Sequence, residues 1–331
     1  MTWPDGVRHQ RISTNGVELD VHTAGDPSDP TVLLCHGFPE LAYSWRHQMV
    51  PLAEAGYHVV APDQRGYGES AAPKEVEAYG IRELTGDLVG LLDHFDAQDA
   101  VWVGHDWGAL IVWDGARLHP DRVGAVMGVS VPFTAWPARP TDLMRAVYTD
   151  RFFYILYFQQ VGPAERELDA DPRTTMASVL YGASGEGFRS RVVPTELPPA
   201  EGTGFLTNMP ERPALPYGGP EGPWLDATDL DAYTAGFASS GFFGPVSYYR
   251  NLDANFDVMT GLGAERVTMP SGFICGTDDP VRLMDPDSIA RMHATLPDFR
   301  DGVLIDGAGH WTQQERPDEF NAALAEFLDG L

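Results

Sequence analysis

Short apolar runs recur along the chain, each closed by glycine, proline or aspartate and most followed by a segment of helical period. Thr31–Cys35 (TVLLC) ends at His36-Gly37, residues 58–61 (HVVA) at Pro62-Asp63, and residues 100–103 (AVWV) at Gly104. Residues 123–131, 272–275 and 302–305 are further runs of this kind. Continuous apolar runs of this length predict strands buried on both faces. Their alternation with helices over 81–95, 109–118 and 317–328 predicts an α/β fold with a mostly parallel sheet. Near the start, residues 7–20 alternate around Asn15-Gly16, which predicts an antiparallel hairpin.

The alternation stops between about Pro132 and Leu262. An aromatic-rich segment, 141–160, reads as helical, and 227–239 does so again. Between them, residues 194–223 hold eight prolines and five glycines in thirty positions. Such a stretch cannot form regular helix or central strand, so a long ordered loop or lid element is expected. The chain therefore divides into a core of 1–132 and 263–331 and an inserted, mostly helical cap of 133–262. No internal repeat or low-complexity tract interrupts this plan.

Composition narrows the function classes. The 331 residues carry 22 Lys and Arg against 48 Asp and Glu, a formal charge of −26. That balance repels phosphate backbones and anionic lipid, which excludes nucleic acid and membrane surfaces as expected partners. The charges are dispersed, so solubility is their plain meaning. Two cysteines, Cys35 and Cys275, each sit inside an apolar run and read as buried thiols, which suits a reducing cytoplasm. The start, Met1-Thr2-Trp3-Pro4-Asp5, has neither a basic nor an apolar leader pattern, and no stretch approaches the ~18 apolar residues of a membrane span.

Four post-strand segments could carry chemistry. Gly104-His105-Asp106-Trp107-Gly108 lies between a strand and a helix, and glycines at −2 and +2 suit a sharp elbow. The familiar form has Ser at the centre; here the centre is Asp106, and no G-x-S-x-G occurs in the chain. Asp106 could instead simply cap the helix that follows. Cys275-Gly276-Thr277-Asp278-Asp279 and Gly307-Ala308-Gly309-His310 follow later strands. Nucleophile, acid, histidine is the chain order of the α/β-hydrolase triad, which favours the catalytic reading over the capping one. Asp279 is the preferred acid over Asp278, and would hold the imidazole tautomer of His310. His36-Gly37-Phe38-Pro39 could supply one oxyanion donor from the Phe38 N–H, and the Trp107 N–H the other.

The elbow GHDWGA, the turn HGFPE, the segment DQRGYGES at 63–70 and the terminal GAGHWTQQERP together resemble the epoxide hydrolases of the α/β-hydrolase fold. The resemblance runs from about residue 8 to the C-terminus. Within the cap, residues 153–159 (FYILYFQ) are similar to the family's first tyrosine motif, with Tyr154 at the catalytic position. Phe243-Gly244-Pro245 through Tyr248-Tyr249-Arg250-Asn251 is similar to the second, with Tyr249 there. Without the resemblance both would pass for packing aromatics, and Tyr157 and Tyr248 are each one misregister away.

The resemblance implies that Asp106 forms an alkyl ester with an epoxide carbon while Tyr154 and Tyr249 donate to the ring oxygen. His310, oriented by Asp279, then activates the water that releases a diol. It also implies a pocket lined by Phe38, Trp107, Phe158 and Leu252, with Trp136 beside them, suited to a small apolar epoxide. No metal or organic cofactor enters this scheme, and the sequence contains no HExxH, EF-hand or P-loop pattern. Haloalkane and haloacid dehalogenases share the elbow carboxylate and form the alternative reading; a catalytically idle binding protein on the same fold is the second. A homodimer is an assembly compatible with this chain.

Overall fold

The apolar runs pair into one eight-stranded sheet in a computed structural model, which describes residues 3–191, 196–219 and 222–331. The strands are β1 (Arg8–Thr14), β2 (Val17–Ala24), β3 (Thr31–Cys35), β4 (His58–Asp63), β5 (Ala100–His105) and β6 (Val123–Val129). After a separate two-stranded ribbon of β7 (Tyr217–Gly219) and β8 (Gly222–Leu225), the main sheet is completed by β9 (Ser271–Gly276) and β10 (Phe299–Ile305). The spatial order is β1-β2-β4-β3-β5-β6-β9-β10. Asn15 (φ 46°) and Gly16 (φ 77°) make the expected tight turn between β1 and β2. These two strands and the β2–β4 pair are antiparallel, and every other pair of the main sheet is parallel.

The period of two along each strand builds two cores. Leu33 and Cys35 face one of them, with Trp102 and Val126; Val32 and Leu34 face the other, with Val103, Phe320 and Leu324. Edge strand β10 departs from the doubly apolar pattern, since Arg300 and Asp301 are exposed where no further strand pairs. The helices Ile81–His94, Trp107–Leu118 and Pro317–Asp329 match the sequence periods within a residue or two. Among the described residues, no helix is long and apolar enough to cross a membrane.

Between β6 and β9 none of the described residues joins the main sheet. The segment 141–160 is not one helix: Pro140–Tyr148 ends at Thr149, whose φ is 47°, and Tyr154–Phe158 starts afresh. The break is held by pairing with the proline-rich stretch, as the Phe152 N–H donates to Pro198 O at 2.8 Å and Arg151 bridges Pro199. That stretch forms a short helical turn, Leu206–Asn208, and most of the β7–β8 ribbon; residues 194, 195, 220 and 221 lie outside the described residues.

Two helices, Phe243–Arg250 and Leu252–Met259, lock onto the loop after β4. Tyr248 Oη donates to Arg65 O at 2.9 Å, Asn251 Nδ2 to Val76 O at 2.7 Å, and the Ile81 N–H to Asn255 Oδ1 at 2.8 Å. Gly66 and Gly244 lie so close that a Cβ on either would strike the other's backbone.

Candidate active site

The parallel strands deliver their following loops to one end of the sheet, the place where open α/β folds bind ligands. Asp106 follows β5 at φ 53°, ψ −115°, a conformation few non-glycine residues adopt. Its neighbours must be small: a Cβ on Gly104 would strike Gly108 O, and one on Gly108 would strike Cys35 O. Asp106 occupies the helix N-cap position without donating or accepting a side-chain cap bond, which removes the capping reading. Its carboxylate is instead shared between two partners. The Phe38 N–H donates to Oδ1 at 2.8 Å, and His310 Nε2 stands 3.4 Å from Oδ2.

His310 is turned by its other nitrogen. Nδ1 lies 3.1 Å from both oxygens of Asp279, which is fully buried and also accepts from the Val281 N–H at 2.8 Å. Asp278 pairs with Arg189 at the surface, so of the two it is Asp279 that faces His310. Burial opposes charge on both partners, yet their attraction wins. Asp279 is held below the usual carboxylate range by His310, and His310 is raised well above the usual imidazole value by Asp279 and Asp106.

Near the carboxylate stand the two tyrosines, their ring centroids 5.8 Å apart and nearly perpendicular. Tyr249 packs edge-on against Phe38 (5.3 Å) and Trp107 (5.0 Å). Burial first, and the Asp106 charge after it, push both phenols up, so they hold their protons. The neighbouring tyrosines are spoken for: Tyr157 Oη donates to Glu167 at 2.9 Å, and Tyr248 binds Arg65 O. The Trp107 amide, the second expected donor, makes no hydrogen bond to the free carboxylate. An oxyanion donor is aimed at the tetrahedral oxygen, which the ground-state carboxylate does not yet place.

The five expected pocket residues fall into two groups. Phe38 and Phe158 pack with the tyrosines, and Phe205 from the proline-rich stretch joins them, 5.1 Å from Phe158 and 5.7 Å from Tyr154. Leu252 and Trp136 line a separate cavity of about 440 Å³ with Leu110, Trp113 and Met259. Trp107 belongs to both groups.

Sequence reasoning missed Phe205 and also a buried network beneath the site. Glu40, within HGFPE, accepts from the Gly37 N–H (3.0 Å), His105 Nδ1 (2.5 Å), Gln313 Nε2 (3.1 Å) and Gln314 Nε2 (3.0 Å). His105 Nε2 reaches His310 O at 2.7 Å, and Ser130 Oγ donates to the same carbonyl at 2.9 Å. Burial would raise Glu40, but His105 and the other donors bring it to about 2. An ionisable residue inside each strand-end motif was the available signal.

This elbow, sheet order and triad define an α/β hydrolase with aspartate in the nucleophile position, and the family model described as alpha/beta hydrolase fold matches residues 30–162. The chain is 49% identical to epoxide hydrolase A of Mycobacterium tuberculosis, over 97% of each chain, and 38% identical to an epoxide hydrolase of Caballeronia sordidicola, over 98% and 94%. It superposes on the crystal structure of epoxide hydrolase A from Mycobacterium thermoresistibile with a TM-score of 0.89 at 48% identity, covering 98% and 99%. The chain belongs to the epoxide hydrolases of the α/β-hydrolase fold.

Proposed function

We propose that Asp106, His310, Asp279, Tyr154 and Tyr249 are the residues with which this epoxide hydrolase converts an epoxide and water to a vicinal diol. The observation that carries the assignment is the division of the Asp106 carboxylate, with Oδ1 on the Phe38 N–H and Oδ2 beside His310. Oδ2 attacks a ring carbon; the new O–C bond forms as the C–O bond of the epoxide breaks. Tyr154 and Tyr249 bind the departing oxygen, and one gives it a proton. A neutral phenol can do this because an alkoxide is far more basic.

The ester changes its own surroundings. Esterification removes the Asp106 charge, one of the two that keep His310 protonated, so the imidazolium gives up its proton, which restores the phenol that protonated the alkoxide, and the neutral imidazole is free to accept another. Water then gives a proton to Nε2 and adds to Cγ of Asp106, with the Phe38 and Trp107 amides holding the oxyanion. Collapse expels the alkoxide, which takes the proton back and leaves as diol. Oδ2 departs with the product and the water oxygen stays on Asp106.

The apolar walls favour small epoxides with aryl or alkyl substituents. Residues 133–262 act as the cap that contributes both tyrosines, and the buried, unpaired Cys35 and Cys275 suit a reducing cytoplasm. Two protonated phenols near the carboxylate favour an oxygen leaving group over halide.

Incubation of the purified protein with styrene oxide and, separately, with a bromoalkane tests this. Diol without bromide is expected, abolished by Asp106→Ala. A single turnover in H₂¹⁸O should label Asp106 before the diol. Label in the diol from the first turnover would mean direct attack by water and would remove the ester.

A further inference from the structure

The hairpin at the sheet edge gathers a second set of ligand-type side chains. Strands β1 and β2 pair with His9 directly opposite His22, and Asp20 precedes His22 by two residues, so all three share one face. One ligand atom from each lies within 4.8 Å of the other two. His9 Nε2 touches Asp20 Oδ1, whereas His22 Nε2 stands 3.6 Å from Oδ2, too long for a hydrogen bond. His22 is only 5% exposed, and its Nδ1 has no partner among the described residues. A buried imidazole whose Nδ1 is left unpaired lacks a partner such groups ordinarily have.

The surroundings shape an opening. Trp3 stacks on the His22 ring at 4.1 Å and covers that face. The His9 side chain is 55% exposed and leaves the other side open to solvent. One cation stands near: Arg11 Nε is 3.9 Å from Asp20 Oδ1, but its terminal nitrogens turn to Glu18 (3.2 Å) and Glu69 (3.4 Å), which share its charge.

We infer that His9, Asp20 and His22 form a binding site for a borderline divalent cation of the Zn²⁺ class. Two imidazoles and one carboxylate are the donors that ion prefers, and water completes the shell. Ligands from both strands make the bound ion a staple across the hairpin. The staple reaches further inward, because β2 pairs with β4, whose Asp63 accepts from the Ala42 N–H at 2.7 Å. The site takes no part in epoxide opening, since none of its residues belongs to the catalytic set.

The test uses the full chain stripped with a chelator and titrated with ZnCl₂ by calorimetry and thermal melting. One ion per chain is expected, with a rise in Tm on the order of a few degrees at a hundredfold excess over Kd. His22→Ala should weaken binding at least about tenfold, the least that loss of a direct ligand should cost. His9→Gln, at an exposed position, should weaken it similarly while diol formation stays at the wild-type rate, and it decides the matter should His22→Ala fail to fold. No binding, or binding of equal strength in His9→Gln, would overturn the site and assign any uptake to other surface histidines.

Discussion

Replacing Tyr249 by Phe deletes one hydroxyl and leaves the ring that packs against Phe38, Trp107, Phe158 and Tyr154 at 5.0–5.8 Å. The fold should therefore persist, and the loss should fall on one chemical step. In the proposed mechanism Tyr249 Oη is one of two donors to the oxygen that gathers charge as the ring opens. A single donor aimed at developing negative charge in a closed site contributes about 2.7–4 kcal/mol, or roughly 100- to 1000-fold in rate. Mixing enzyme in excess with a chromogenic epoxide and quenching for intact mass isolates ester formation from its hydrolysis. Tyr249→Phe should slow ester formation by that factor, while hydrolysis of ester already formed should be nearly untouched. Tyr248→Phe is the matched control: its hydroxyl is bound to Arg65 O, so alkylation should proceed as in wild type, with a stability loss of about 1 kcal/mol. Wild-type ester formation in Tyr249→Phe, or equal slowing in both variants, would refute the assignment.

Asp279→Asn should slow ester hydrolysis, on the order of ten-thousand-fold where the imidazole takes the wrong tautomer, whereas Asp278→Asn removes only a surface pair with Arg189 and should leave turnover unchanged; steady-state diol assays separate the two. Because Asp279 and Asp106 raise His310, acid keeps the imidazole protonated even in the ester. Lowering pH should therefore make the covalent adduct accumulate, raising it should clear the adduct, and His310→Ala should hold the adduct at every pH; intact mass reads all three.

Most of the fold was legible because buried parallel strands leave an unmistakable apolar run, and β3 through β6 and β9 follow it closely. That Asp106 and His310 would meet at the strand ends was legible for a related reason: the elbow tolerates only small neighbours, and strand-end loops are where this fold puts chemistry. The failures have physical causes as well. Residues 141–160 have helical composition, but tertiary pairing with Pro198 and Pro199 breaks the helix at Thr149 and so sets the start of the turn that carries Tyr154. Phe205 sits in a stretch with no periodicity, and only its burial against Phe158 reveals it as a wall of the site. The choice of Asp279 over Asp278 rested on motif resemblance alone, since adjacent carboxylates look alike until one is seen facing His310.

The carboxylate, the histidine and its aspartate hang from the sheet, whereas both phenols come from helices between β6 and β9. Those helices are fastened through a few particular contacts, among them Tyr248 to Arg65, Asn251 to Val76, and the bare backbone meeting of Gly66 and Gly244. Local opening there would carry both phenols away from the carboxylate while the sheet stood intact. The arrangement is an interlock. On the proposed mechanism the carboxylate is armed against strained ethers only while those helices are seated, so heat should silence the enzyme before it melts the core.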